Sequence, residues 1–159
     1  RAAYLNGRLP SKILMRIRKE VVPAILLIKP DWKIYVCTDG SMIVKLLKAL
    51  YGLRESALCW YNELYDFMVN TMKYVQSAYD PCLYTCRHDN VTSHVVEHVD
   101  DLLVSSNSSE HMEELQQQLR DKFKDITVDS GDEFSYLGML IKRDRKARTL
   151  QLSQESFIK

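Results

Sequence analysis

The sequence predicts an α+β fold, an antiparallel sheet packed on helices, from three observations. Two long stretches, residues 56–72 and 107–123, carry apolar residues at helical spacing. Short runs rich in β-branched and aromatic residues lie before, between and after them, bounded by turn residues. The resulting order is strands, helix, strand plus hairpin, helix, hairpin, which is an α+β arrangement. At 159 residues the chain is one domain by length and large enough to bury a core.

The elements follow in order. Residues 9–36 mix basic and apolar side chains, and Pro10, Pro23 and Pro30 limit any helix or central strand there. Residues 34–37 and 42–46 read as short strands around the turn Thr38-Asp39-Gly40-Ser41, and Gly52 breaks the apolar stretch that follows. From Ser56 to about Met72 the period is helical, with Leu58, Tyr61, Leu64 and Met68 on one face and Trp60 and Phe67 beside it. Ala78-Tyr79-Asp80-Pro81 ends that unit. Residues 83–86 form a strand, His88-Asp89-Asn90 a turn, and a further hairpin runs from 95 to 104. Asn107 with Glu110 three residues on marks a helix start, and Met112, Leu115, Leu119 and Phe123 form its apolar stripe, a core-packing pattern. Residues 134–141 and 150–152 read as paired strands around a basic turn at 142–148, and Ser153-Gln154-Glu155 begins a third helix. There are no internal repeats or low-complexity tracts.

Composition is that of an ordinary globular protein: 46% hydrophobic, 27% charged, with 5 Gly and 4 Pro. No segment is apolar for long enough to span a bilayer, and the amino terminus is neither a signal nor a transit peptide. The chain begins without Met and reads as a piece of something longer. Cys37, Cys59, Cys82 and Cys86 are scattered and read as reduced thiols, which points to an intracellular protein. Cys82 and Cys86, near His88 and His94, match no common zinc spacing and read as strand cysteines. The net charge of +1 hides an asymmetry: residues 1–48 carry ten Lys or Arg against three acids, and residues 49–159 carry twelve against eighteen. A basic part beside an acidic part suits phosphate-backbone binding alongside metal binding, and suits a solvated basic surface equally well.

The stretch Val95-Val96-Glu97-His98-Val99-Asp100-Asp101-Leu102-Leu103-Val104 is the most informative. Aspartate is a poor strand former and costly to bury, so Asp100 and Asp101 belong at a tight turn between two apolar strands. Two carboxylates so close suit a divalent cation, and magnesium commonly bridges one or two carboxylates to substrate phosphates. An ordinary solvated Asp-Asp turn is the alternative.

Three ordered stretches resemble the reverse transcriptase of copia-type LTR retrotransposons. They are Ala3-Tyr4-Leu5-Asn6-Gly7, then Lys45-Leu46-Leu47-Lys48-Ala49-Leu50-Tyr51-Gly52-Leu53-Arg54-Glu55-Ser56 with Trp60-Tyr61 after it, then Val99-Asp100-Asp101. Tyr136-Leu137-Gly138-Met139-Leu140-Ile141-Lys142 and Leu150-Gln151-Leu152-Ser153-Gln154 support them. The resemblance implies the palm and part of the fingers of a right-hand polymerase, with 1–48 mainly fingers and palm edge and 49–159 mainly palm and primer-grip hairpin. It implies that Asp100 and Asp101 are the catalytic, magnesium-binding pair and that Tyr4, Tyr51, Gly52 and Arg54 line the nucleotide and template pocket. Leu137 and Gly138 would contact the primer. The implied partners are an RNA or DNA template with primer, deoxynucleotides, and the integrase and RNase H of a polyprotein, in a cytoplasmic particle or the nucleus. Without that resemblance Tyr4 reads equally as a buried aromatic, Gly52 as a helix-entry turn and Leu137-Gly138 as a strand bulge.

The chain departs from the family in places. His98 replaces the usual Tyr or Phe, Glu97 interrupts a normally apolar strand, and Glu55 stands where Gln is usual. The acidic pair common after Leu-Asn-Gly is replaced by Pro10, Ser11 and Lys12. The family's further catalytic aspartate would fall two positions before Arg1, so this chain alone is expected not to polymerise. A non-catalytic nucleic-acid-binding module or a decayed remnant of the domain is the alternative.

Overall fold

A computed structural model describes residues 3–124 and 126–158. The chain divides into two compact units, residues 4–63 and residues 64–159 joined by 1–3.

In the first unit, β1 (Arg8–Ile17) pairs antiparallel with β2 (Met42–Lys48), from Ile13 opposite Leu46 to Ile17 opposite Met42. The register slips between Arg8 and Ile13, around Pro10, which has no N–H for a ladder. A ten-residue strand thus runs through the segment expected to resist one, because a two-stranded sheet is all edge and tolerates proline there. Helix α1 (Val22–Ile28) also forms in that segment, with Pro23 in its first turn, where a missing N–H costs nothing. The strand expected at 34–37 is not one. Residues Pro30–Tyr35 form a 3-10 helix begun by proline, and only Val36 bridges, to Met42.

The turn at 38–41 is as expected. Gly40 sits at φ +81°, Asp39 Oδ1 accepts from the Ser41 amide and hydroxyl, and Arg16 donates to Asp39 Oδ2 at 2.9 Å and to Ser41 Oγ. Those hydrogen bonds hold the Asp39 carboxyl below its ordinary range, with the Arg16 charge assisting.

Helix α2 (Ser56–Asp66) continues into a π-helical turn, Phe67–Thr71, so the helical stretch ends near Met72 as its period predicts. Its buried face differs from the expected stripe. Cys59, Trp60, Leu64, Phe67 and Met68 are buried, whereas Leu58 is 61% exposed. Leu58 lies about 120° around the axis from Leu64, at the edge of the stripe away from Trp60 and Phe67, and faces solvent. Gly7 is required where it is: a Cβ there would lie 2.9 Å from Cys59 Cβ and 3.0 Å from the α2 backbone.

In the second unit, β3 (Val75–Gln76), β4 (Leu83–His88), β5 (Val91–His98) and β6 (Asp101–Ser106) form an antiparallel sheet in that order. β5 alternates strictly, with Ser93, Val95 and Glu97 buried. Helix α3 (Ser109–Phe123) buries Leu115, Leu119 and Phe123, and the Phe123 ring meets Phe67 edge-on at 5.4 Å. Its cap is Ser108, whose hydroxyl accepts from the His111 amide, and not Asn107. The Asn107 side chain is spent elsewhere, accepting from the Thr92 amide and donating to the Asn90 carbonyl across the β4–β5 turn. Tyr74, fully buried, is hydrogen-bonded to Ser93 Oγ at 2.7 Å and His111 Nε2 at 2.9 Å, tying β3, β5 and α3 together.

The stretch expected as one strand at 134–141 is two, β7 (Glu133–Tyr136) and β8 (Met139–Asp144), turning at Leu137 and Gly138; β9 (Thr149–Ser153) completes this sheet. The third helix is a single 3-10 turn, Glu155–Phe157. The architecture is thus mixed helix and antiparallel sheet, as the sequence predicts. Among the described residues no helix is long and apolar enough to cross a membrane.

Candidate active site

The β5–β6 hairpin places the paired aspartates. His98 pairs with Asp101, so Val99 and Asp100 form a two-residue turn. Val99 adopts φ +54°, the left-handed region that a β-branched side chain resists. A positive φ at the first turn position alone is the type II′ pattern, where glycine is usual. The strain is of order ~1–3 kcal/mol and is sustained by the ladder on either side. The outcome is that Asp100 caps the turn, Asp101 opens β6, and both are exposed.

Glu97 lies three residues before the pair, on the inner face, and is 5% exposed. Its Oε2 accepts from Tyr84 Oη at 3.1 Å. Burial pushes its carboxyl up to about 7, and the Tyr84 hydrogen bond only partly offsets this. The Cys82 thiol is raised as well, first by burial and then by the Glu97 and Asp80 charges.

The second hairpin of interest turns at Leu137 (φ +49°) and Gly138 (φ +78°), with Tyr136 opposite Met139. Two consecutive positive φ values define a type I′ turn, so this is a hairpin tip rather than a strand bulge. A Cβ on Gly138 would come within 2.6 Å of the Phe157 ring, which fixes glycine on steric grounds too. Tyr136 is half-buried, and its hydroxyl is buried without a hydrogen-bond partner among the described residues. Desolvation raises its pKa, and the Asp101 and Cys82 charges add to that. Tyr136 was not singled out in the sequence; its signal was a polar-tipped aromatic at the strand end beside the Leu-Gly turn.

The remaining predicted residues lie in the first unit. Tyr4 is half-buried and packs on Tyr51, their ring centroids 4.5 Å apart and tilted by 43°. Tyr51 and Arg54 are exposed. Gly52 adopts φ +94° with open space around its Cα, so it serves a turn just ahead of α2. Leu53 N–H donates to Leu50 O, and Ser56 Oγ donates to the same carbonyl, which closes that turn.

Chemically, two adjacent exposed carboxylates fit a divalent cation that shares its remaining coordination with phosphates and water. Among the described residues no group of three His, Cys, Asp or Glu side chains gathers for a cage made wholly of protein. The donor set suits a hard, oxygen-seeking ion and excludes a thiolate zinc centre.

A family model described as "Reverse transcriptase (RNA-dependent DNA polymerase)" matches residues 2–159. The retrovirus-related Pol polyprotein from transposon TNT 1-94 of Nicotiana tabacum is 34% identical over 99% of this chain. The corresponding polyprotein from transposon RE1 of Arabidopsis thaliana is 30% identical over 98% of it. The chain spans 11% and 9% of the length of these two relatives. No solved structure matches. A match along essentially the whole chain, shared with polyproteins of plant transposons, shows that this chain belongs to the reverse transcriptase (RNA-dependent DNA polymerase) family.

Proposed function

We propose that this segment carries the metal-binding hairpin of an RNA-directed DNA polymerase of a copia-type retrotransposon polyprotein. In this reading it is the palm, with part of the fingers, of a right-hand polymerase. The observation that carries it is the pair Asp100 and Asp101, exposed together at a strained hairpin tip. The reaction is attack of a primer 3′ hydroxyl on the α-phosphate of a deoxynucleotide, with pyrophosphate leaving. Asp100 and Asp101 would hold magnesium, which supplies charge neutralisation at the phosphate and lowers the pKa of the attacking hydroxyl. The ladder holds the backbone of Asp101 and the turn that of Asp100, so the chain presents both carboxylates at one hairpin tip.

Tyr136, Leu137 and Gly138 end a hairpin tip suited to contact with the primer strand. Tyr51, stacked on Tyr4 and exposed, offers a planar face for a base or sugar, and Arg54 a cation for phosphate. Template, primer and deoxynucleotides are the partners in this reading, and the setting is an intracellular polyprotein particle.

The test is magnesium-dependent, template-directed primer extension by the polyprotein containing this segment. Asp100→Asn and Asp101→Asn should each lower the rate about a thousand-fold, the equivalent of several kcal/mol of lost charge stabilisation. Extension at the wild-type rate in both variants would sink the proposal. A non-catalytic module that holds primer–template is the second reading, favoured by the ten basic residues of 1–48. It requires salt-sensitive binding that survives Asp101→Ala and no extension in any context.

A further inference from the structure

The turn joining β8 to β9 is a strongly charged surface element that the proposed reaction leaves unused. Residues 142–148 carry five Lys or Arg against one acid, Asp144, and all are exposed. Asp144 pairs with Thr149, so residues 145–148 form a four-residue loop. The loop is held from within, because Asp144 Oδ1 accepts from the Lys146 and Ala147 amides at 2.9 Å each. The acid is thus part of the turn's own framework. Asp132 engages Arg145 at 2.8 Å, and Glu133 engages Lys142 at 3.2 Å. Among the described residues, Arg143, Lys146 and Arg148 are left without an ion pair. Arg148 adopts φ +55°, the left-handed conformation that glycine enters most easily. A loop built only to turn would take glycine there, and this one keeps a cation.

We propose that this turn is a phosphate-backbone contact: Arg143, Lys146 and Arg148 bind the sugar-phosphate strand of the primer–template. The inference rests on the polymerase reading above, which gives the other end of β8, the Leu137-Gly138 tip, to the primer. β8 is six residues long, so its two turns lie about 20 Å apart at about 3.3 Å per residue. A nucleic-acid strand carries one phosphate per about 3.4 Å, so one bound molecule can touch both turns within about six nucleotides. Such contacts fix the register of the duplex and leave base sequence unread, as a polymerase acting on any template needs. Arg143 and Arg148 can each meet a phosphate with two N–H groups, and Lys146 with one compact charge.

The test is binding of a DNA primer–template by the polyprotein containing this segment, measured between 50 and 200 mM salt. Each phosphate contact contributes about 0.9 to the slope of log affinity against log salt. Combining Arg143→Gln, Lys146→Gln and Arg148→Gln should therefore reduce that slope by about 2.7, so that wild-type affinity falls about 40-fold more than the variant's over this range. Combining Arg143→Lys, Lys146→Arg and Arg148→Lys, which keeps the charges, should keep the wild-type slope. A wild-type slope in the glutamine variant, in a polyprotein that still binds and extends, would overturn the proposal and leave the polymerase reading intact. An equal fall in slope in the charge-keeping variant would overturn it too, since charge would then not be what the turn supplies. The expected fall in the glutamine variant, together with extension indifferent to Asp100→Asn and Asp101→Asn, would uphold the contact and remove the metal role of the aspartates. A wild type that does not bind primer–template at 50 mM salt would remove both readings together.

Discussion

Glu97 makes the stability of this protein fall as pH rises from 4.5 to about 7. In the unfolded chain its carboxyl titrates near 4.5, and in the folded sheet burial moves it to about 7. Below 4.5 both states carry the proton, and Glu97 adds no pH dependence. Between the two values the unfolded chain is ionised while the folded one keeps its proton, so folding must hold a proton against a rising pH. Above 7 both are ionised, and the folded sheet bears a buried carboxylate that accepts from Tyr84 Oη at 3.1 Å. Moving a carboxyl from 4.5 to about 7 corresponds to about 3 kcal/mol at about 1.36 kcal/mol per pH unit. The loss is absent at pH 4.5 and complete above pH 7.

Glu97→Gln keeps the side-chain length and the acceptor for Tyr84 while removing the charge. Urea unfolding at pH 5 and pH 8.5 should therefore show the variant within about 1 kcal/mol of wild type at pH 5 and up to about 3 kcal/mol more stable at pH 8.5. Using the difference between the two proteins cancels the histidines and exposed acids, which titrate alike in both. A difference that stays constant between pH 5 and 8.5 would refute the reasoning, because it would mean that Glu97 titrates as it does in the unfolded chain. Glu97→Leu is a useful companion: if it also gains at pH 8.5 and loses at pH 5, the Tyr84 hydrogen bond to the neutral acid is contributing as well.

Three further substitutions test how the sheet and helix of the second unit are joined. Tyr74→Phe removes an oxygen bonded to both Ser93 and His111 and leaves the buried Ser93 hydroxyl short of a partner; the expected loss is about 1–3 kcal/mol in urea unfolding, and a loss below about 0.3 kcal/mol would show the network to be dispensable. Ser108→Ala should cost about 1 kcal/mol and speed amide exchange in the first turn of α3, whereas Asn107→Ala should loosen the β4–β5 turn and leave that helix start protected. The reverse pattern of exchange would restore Asn107 as the cap.

What the sequence made legible follows from where local chemistry decides the outcome. The hairpin at Asp100 and Asp101 was readable because two aspartates cannot occupy the middle of an apolar strand, and the ladder duly puts Asp100 in the turn and Asp101 at the strand's first position. The helix from Ser56 was readable in extent, since its period persists to Met72, but its buried face was not. Leu58 lies about 120° around a regular α-helix from Leu64, and the side carrying Trp60, Leu64 and Phe67 turns inward, which leaves Leu58 at the outer edge of its stripe and exposed. The proline-bearing stretch before β2 was misread because proline's cost depends on position. At a helix start, or on a strand with a free edge, the missing N–H breaks nothing. Asn107 and Ser108 are equally good caps in composition, and only the competing demand of the β4–β5 turn on Asn107 decides between them.

Glu97 stood out in the sequence as a charge in an apolar strand, but its energetic meaning, like that of Tyr136, did not. Each is a polar group among buried side chains, and its energetic meaning depends on other strands: Glu97 Oε2 accepts from Tyr84 on β4. On β5 the buried face already mixes Ser93 with Val95, and Ser93 is satisfied by Tyr74. A polar group at a stability cost, close before an exposed carboxylate pair on a strained turn, is compatible with a site that binds and orients a charged ligand. Decay of an ancestral polymerase would account for Glu97 as a chance intrusion, and Glu97→Gln is then expected to act on stability alone, through the carboxyl that burial raises to about 7.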